Sequence, residues 1–397
     1  MLRLLSDFLP ILIPAMPTAP RLPGLDTLRS LAILAVMLFH LQGVLPESFH
    51  PVARFGWMGV DLFFVLSGYL IGLQLLRPVT RGEQPSLRDF YRRRAYRILP
   101  AYLVVVTLYV LVPLWRESPG ISPLWQFLTF TENLFVDYSI HQAFSHIWSL
   151  CVEEHFYLIL PVLVIALMRR PSFWKTAAAL AFVLLIGIAT RSYGLIHTLR
   201  PLGEDNFSLA YIEHIYYPTW TRLDGLLAGV ILALMQSFRP AWWSAVTRRG
   251  HLTFGAGLAL FALSLWLFAN RFSSLTGAAA WGTVIGFPIL SLAFALLVAS
   301  GVSRNGYLSR LRIPGAQTVA TLAFGLYLIH KEIVHLDQHV FPNLTADPNA
   351  KATLLYAVTC LLAAALLHLS VERPFMQLRD HRSARRTEEQ MRTEPAL

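Results

Sequence analysis

Charge is what this chain has least of. Asp, Glu, Lys and Arg make up 14% of its 397 residues, where a soluble globular protein carries about 25%. Apolar residues reach 55% and the mean hydropathy is +0.52, so neither a soluble multidomain chain nor a disordered one fits. Cysteine is almost absent: Cys151 and Cys360 each lie in an apolar stretch, which supports neither a disulfide framework nor a zinc site. Glycine periodicity and sustained heptads are missing, excluding collagen-like and coiled-coil readings. No nucleophile elbow, Walker A loop, dinucleotide fingerprint or HExxH is present, and with them go the commonest signatures of serine hydrolases, nucleotide-binding folds and zinc proteases.

Long apolar runs are what fills the chain. Ten of about twenty residues occur near 25–45, 57–76, 96–115, 147–168, 173–190, 218–236, 252–269, 278–299, 316–336 and 353–372, each long enough to cross a bilayer. With the N-terminus inside, 25 of the 33 Lys and Arg fall on the inner side, seven on the outer side, and Arg222 lies within a span. That asymmetry follows the positive-inside rule and predicts an all-α polytopic transmembrane bundle with both termini cytoplasmic. The net charge of +10 therefore reflects topology, and its partner is the anionic surface of the lipid bilayer, with no nucleic acid expected. Residues 1–22 read as a cytoplasmic lead-in, too broken by Pro10 and Pro14 to span. Residues 376–397 read as a charged, disordered cytoplasmic tail. The long outer segments near 117–146 and 191–217, rich in aromatic residues and histidine, suit interfacial helices or a lid.

Ionisable residues inside a span are expensive and usually face a cavity, a partner or a pathway. In the first run, LDTLRSLAILAVMLFH, Arg29 and His40 are eleven residues apart. They share a helix face about 16 Å apart along the axis, and Asp26 joins them. One reading is a cation for a phosphate-bearing donor at the inner end and a general base at the other; the other is an arginine snorkelling to headgroups and a histidine satisfied by a neighbour. The second run, WMGVDLFFVLSGYLIG, lines up Asp61, Val65, Gly68 and Gly72, a stripe along which another helix can approach closely. FYRRRAYRILPAYL places Arg94 and Arg97 at i, i+3 at the entrance to the third run, as anchors or as a pyrophosphate clamp.

The densest polar cluster is HIWSLCVEEHFYLILP, where Ser149, Glu153 and Tyr157 share a face and Glu154 points elsewhere. TWTRLDGLLAGV holds Arg222 and Asp224, an internal ion pair or a catalytic one. GLYLIHKEIVHLDQH carries His330 near its outer end, with His335 and His339 at i, i+4 beside Asp337. That spacing is a metal face in principle, but solvated histidines at a helix end are commoner, and no metal is expected. The final run closes on SVERPF, with Glu372 and Arg373 at the inner interface.

In order, the Arg29 to His40 spacing, GVDLFFVLSGYLI, RRRAYRILPAY, HIWSLCVEEHFYLILP, RLDGLLAG, LYLIH and ERP form a series that resembles the acyltransferase family 3 integral-membrane proteins, over about residues 23–375. The resemblance implies a bundle of about ten helices in a bacterial inner membrane. Its members move an acyl group, commonly acetyl, from cytoplasmic acetyl-CoA or another acyl-CoA to a hydroxyl of an envelope glycan, a glycolipid or a small hydroxylated acceptor. His40, Arg29, Arg94, Arg97 and Glu153 match the family's functional positions. On this reading Arg29, Arg94 and Arg97 hold the anionic end of acyl-CoA and His40 takes the acceptor's proton. Glu153 or Asp61 fixes the tautomer of His40, with a covalent acyl-histidine relay also open. Two other classes remain: a proton-coupled transporter or flippase, which buried Asp, Glu, Arg and His also mark, and an acyl-CoA-binding sensor without turnover.

Overall fold

A computed structural model describes residues 22–203, 207–270 and 274–382; most of the lead-in and residues 383–397 of the tail lie outside the described residues. The principal helices are α1 (Pro23–His40), α2 (Met58–Thr80), α3 (Leu87–Leu111), α4 (Trp148–Met168), α5 (Phe173–Gly194), α6 (Asp224–Phe238), α7 (Pro240–Arg248), α8 (Gly250–Phe268), α9 (Phe287–Val302), α10 (Ala316–Val340) and α11 (Ala350–Leu367). Among the described residues there is no strand, only one bridge between Ile121 and Ala143. This is the helical bundle the apolar runs predict, because a helix satisfies its own backbone where no water is available.

Eight helices are long and apolar enough to cross a membrane, or nine if α6 and α7, bent by 113° to one another, form one broken span. The sequence reading of ten differs at α1, whose 18 residues are diluted by Asp26, Arg29 and His40. It lies within the bundle all the same, packed against α2, α9 and α10. The fifth apolar run also continues further than expected, as one helix over Phe173–Leu202. Arg191, read from sequence as outside the membrane, is 0% exposed and donates to both carboxylate oxygens of Asp224, at 2.7 and 3.1 Å. Its charge is met inside the fold and does not end the span. At the C-terminus the last helical segment runs through a wide turn at His368–Glu372 and reaches Arg382, so its final turns occupy the start of the expected tail.

Small residues set the tightest contact, α2 against α6. A Cβ on Gly229 would overlap Val65 O, and one on Gly68 would overlap Leu226 O; only glycine allows these backbones to touch. The α2 stripe read from the sequence is therefore a helix seat. Arg222 and Asp224 do not pair with each other. Arg222 donates to Asp61 at 2.8 Å, and its guanidinium lies over the rings of Tyr216 and Phe287, each at 4.3 Å. One cation thus joins α2 to the segment before α6 inside an aromatic cage.

Candidate active site

α1 and α10 run side by side in the same direction. Ser30 Oγ lies 2.9 Å from the carbonyl oxygen of Ala316, the first residue of α10, and further along His40 meets His330. The His40 Nδ1 to His330 Nε2 distance is 2.8 Å, with ring centroids 5.0 Å apart and nearly parallel. The other nitrogen of His330, Nδ1, lies 2.9 Å from Leu326 O and 3.1 Å from Tyr327 O. Carbonyl oxygens only accept, so Nδ1 carries the proton and Nε2 of neutral His330 is an acceptor. His40 Nδ1 must then donate. The lone pair of His40 is left on Nε2, the arrangement a general base requires.

His146 completes a group of three imidazoles, its centroid 5.7 Å from that of His40 and 5.3 Å from that of His330. It sits in the turn Ser145–Ile147 that opens α4, after Phe144, which adopts a left-handed backbone (φ 60°) and stacks on Tyr109 at 4.2 Å. Tyr327 OH donates to His146 O at 2.5 Å and lies 3.0 Å from Ser149 Oγ. Because its one proton is committed, Tyr327 accepts from Ser149.

Below this plug lies a cavity of about 420 Å³. Ser67, Ser149, Glu153 and Tyr327 line it toward the histidines, and Arg29, Arg94, Arg97 and Arg379 line it toward the other end of the bundle. An adjoining space of about 450 Å³ shares Arg94, Arg97 and Arg379 and adds Arg77 and Arg93. The cavity therefore has one strongly cationic mouth and reaches Tyr327, whose ring packs against His146, the neighbour of His40.

The sequence-predicted residues fall into two groups. Arg29, Arg94, Arg97 and Glu153 share the cavity; His40 is not among the residues that line it. Arg29 reaches back to Asp26 at 3.5 Å, and Arg94 stacks over the Tyr157 ring at 3.7 Å. Glu153 Oε2 accepts from Tyr157 OH at 2.5 Å and from Ser67 Oγ at 3.1 Å, so that oxygen is held by neighbouring hydroxyls. Asp61 is taken up by Arg222. Neither carboxylate touches His40, and the contact expected of them belongs to His330. The His335 and His339 rings are 4.3 Å apart, but Asp337 turns away and accepts from Thr359 Oγ1 at 2.6 Å, so the three residues do not converge.

Sequence reasoning passed over Ser67, His146, Tyr327 and Arg379 as site residues. His146 had a signal, three residues before Ser149 in the same polar segment. Arg379 had none, since its place depends on the last helix continuing past the apolar run.

A family model described as an acyltransferase domain matches residues 22–368. Peptidoglycan O-acetyltransferase OatA of Listeria monocytogenes is 26% identical over 356 residues, covering 86% of this chain and 54% of that protein. O-acetyltransferase OatA of Staphylococcus aureus strain NCTC 8325 is 26% identical over 355 residues, covering 85% and 54%. The chain thus spans about half the length of the curated relatives it matches. No solved structure matches it.

Proposed function

The chain belongs to the acyltransferase family whose domain model spans residues 22–368, and on that premise we propose that it carries an acetyl group from acyl-CoA to a hydroxyl of a cell-envelope carbohydrate or glycolipid. The observation that carries this reading is the alignment of an arginine-lined cavity mouth, a cavity, and a histidine whose base nitrogen is fixed by a second histidine. The names of the two relatives, both O-acetyltransferases, support the acetyl group, and that of the Listeria protein, a peptidoglycan O-acetyltransferase, supports a carbohydrate acceptor.

In this mechanism Arg29, Arg94, Arg97 and Arg379 bind the phosphates of the donor, since guanidinium groups pair with phosphate oxygens in a fixed fork. The pantetheine arm lies in the cavity, and its thioester reaches past Tyr327 toward His40. As the acceptor hydroxyl attacks the thioester carbonyl, His40 Nε2 takes the hydroxyl proton. The carbon to sulfur bond then breaks, and the imidazolium returns that proton to the departing thiolate. His330 holds the tautomer of His40 throughout, and Glu153 with Ser67 and Tyr157 shapes the donor channel. The arginine asymmetry of the loops supports a donor mouth and both termini on the cytoplasmic side, and we take the membrane to be a bacterial inner membrane. Donor and acceptor then meet from opposite faces without CoA crossing.

The test is turnover of radiolabelled acetyl-CoA by membranes holding wild type or His40→Ala, with products sorted into lipid-linked, polymeric and soluble fractions. Label that enters a lipid-linked or polymeric fraction and disappears with His40→Ala supports the proposal. Transfer that survives in His40→Ala removes His40 as the base. No transfer from acetyl-CoA or longer acyl-CoAs overturns the donor assignment.

A further inference from the structure

Beside the histidine pair, four buried polar atoms stand unused by the mechanism above. Both ring nitrogens of His146 and both carboxylate oxygens of Glu332 have no hydrogen-bond partner, although His146 is 3% exposed and Glu332 is 0% exposed. Leaving a buried polar group unmet is costly, and a charged one more so, so four of them in one place call for a ligand.

These atoms converge with a third side chain. One ligating atom each from Glu117, His146 and Glu332 lie within 4.8 Å of one another. The three come from separate elements: Glu117 from the segment after α3, His146 from the turn opening α4, and Glu332 from α10, two residues beyond His330. Three donors this close suit a single ion. The charges point the same way. Lys331 Nζ lies 2.6 Å from Glu117 Oε1 and Tyr109 OH donates to Glu117 Oε2 at 3.0 Å, so the nearby cation answers Glu117. Glu332 has no such ion pair among the described residues. With both glutamates ionised as ligands and His146 neutral, the two carboxylates and Lys331 sum to one net negative charge, which a divalent cation over-compensates by one.

We propose that Glu117, His146 and Glu332 form a site for a divalent transition metal of the Zn²⁺ class. One imidazole with two carboxylates is a donor set such ions accept at about 2.0–2.2 Å, whereas Ca²⁺ needs six to eight oxygens. Tetrahedral bonds of that length set donors about 3.3–3.6 Å apart, inside the 4.8 Å bound that these three already meet. Three protein ligands leave a fourth position open, and the remaining positive charge suits a water, a hydroxide or a substrate oxygen there. The expectation from sequence was that no metal is needed, and its only metal candidate was His335 with His339. The tertiary structure moves the candidate to residues from three elements.

The experiment is Co²⁺ loading of the full-length protein in detergent, followed by desalting, metal quantification and visible spectroscopy, then displacement by Zn²⁺. The inference predicts one retained equivalent per chain with d–d absorption. It also predicts loss of both in His146→Gln and Glu332→Gln, and retention in His335→Gln. X-ray absorption on the Zn²⁺-loaded wild type reads the first shell without any variant, and one imidazole among oxygen donors is the expected result. No retained metal in folded wild type overturns the site, as does binding that persists in Glu332→Gln. A two-imidazole shell lost in His335→Gln assigns the metal to the helix end and overturns it equally. None of these readouts requires acyl transfer, so the site and the proposed activity fail separately.

Discussion

Nδ1 of His40 and Nε2 of His330 lie 2.8 Å apart, and because His330 spends its own proton on Leu326 O, His40 is the donor in that bond. An imidazole here does what a carboxylate does in a Ser-His-Asp triad, fixing which nitrogen is the base, but without adding negative charge. His40→Ala should lower acetyl transfer by about 10²–10⁴-fold, the usual contribution of a general base. His330→Ala should cost about tenfold in kcat, the worth of one neutral hydrogen bond. His330→Asn, whose amide oxygen accepts, should recover part of it. Steady-state kinetics on purified protein checks the order of the three variants.

At the other end of the cavity, Arg94→Ala and Arg97→Ala should raise KM for acyl-CoA by about tenfold or more, since a charged hydrogen bond contributes about 1.5–3 kcal/mol. The two should differ in one respect. Arg94 also covers the Tyr157 ring, which hydrogen-bonds Glu153, so its loss should lower kcat as well. Arg379→Ala should raise KM alone. Initial rates at varied acyl-CoA concentration separate these effects.

The buried pair Arg222 and Asp61 is a matter of stability. Replacing Arg222 by Met removes the cation opposite a carboxylate that is 1% exposed and should destabilise the fold by about 3–5 kcal/mol. Adding Asp61→Leu in the same chain should restore most of that loss, because an apolar pair of similar volume needs no counter-charge. Thermal unfolding in detergent, followed by monodispersity, reads both.

Glu132, in the short helix Glu132–Phe135 outside the membrane spans, is 0% exposed, and burial holds its carboxyl well above the usual range, with Lys331 opposing the shift. A carboxyl raised in the folded state binds more protons folded than unfolded, so its contribution is neutral below the unfolded value and increasingly unfavourable above it. Wild type should therefore lose stability as pH rises above about 4.5, the ordinary value for this group. Glu132→Gln should be flatter over that window and more stable at neutral pH. A melting series across pH on both proteins tests the sign.

At the α2 and α6 contact, Gly229→Val should cost about 1–3 kcal/mol or more, the range for overpacking, since its first carbon already overlaps Val65 O. Gly255→Ala in α8, where an added Cβ meets nothing within 4 Å, should leave the melting temperature unchanged or slightly higher. Thermal melts of the two variants beside wild type decide it.

Composition and the apolar runs were enough to read a helical membrane bundle, because the bilayer leaves only self-satisfied backbones as spans. Spacing along single helices was also legible: it put Arg29 and His40 on one face, and it made a helix seat of Gly68 and Gly72. These are properties of 3.6 residues per turn and need no knowledge of neighbours. What the sequence by itself could not determine is which partner each charged or polar group meets. Arg222 and Asp224 are two residues apart yet pair with Asp61 and Arg191 on other elements. His40 finds its orienting group 290 residues away, and Glu117, His146 and Glu332 converge from three separate segments. Such pairings are decided by how helices lie against one another, and a linear sequence carries helix periodicity without carrying that arrangement.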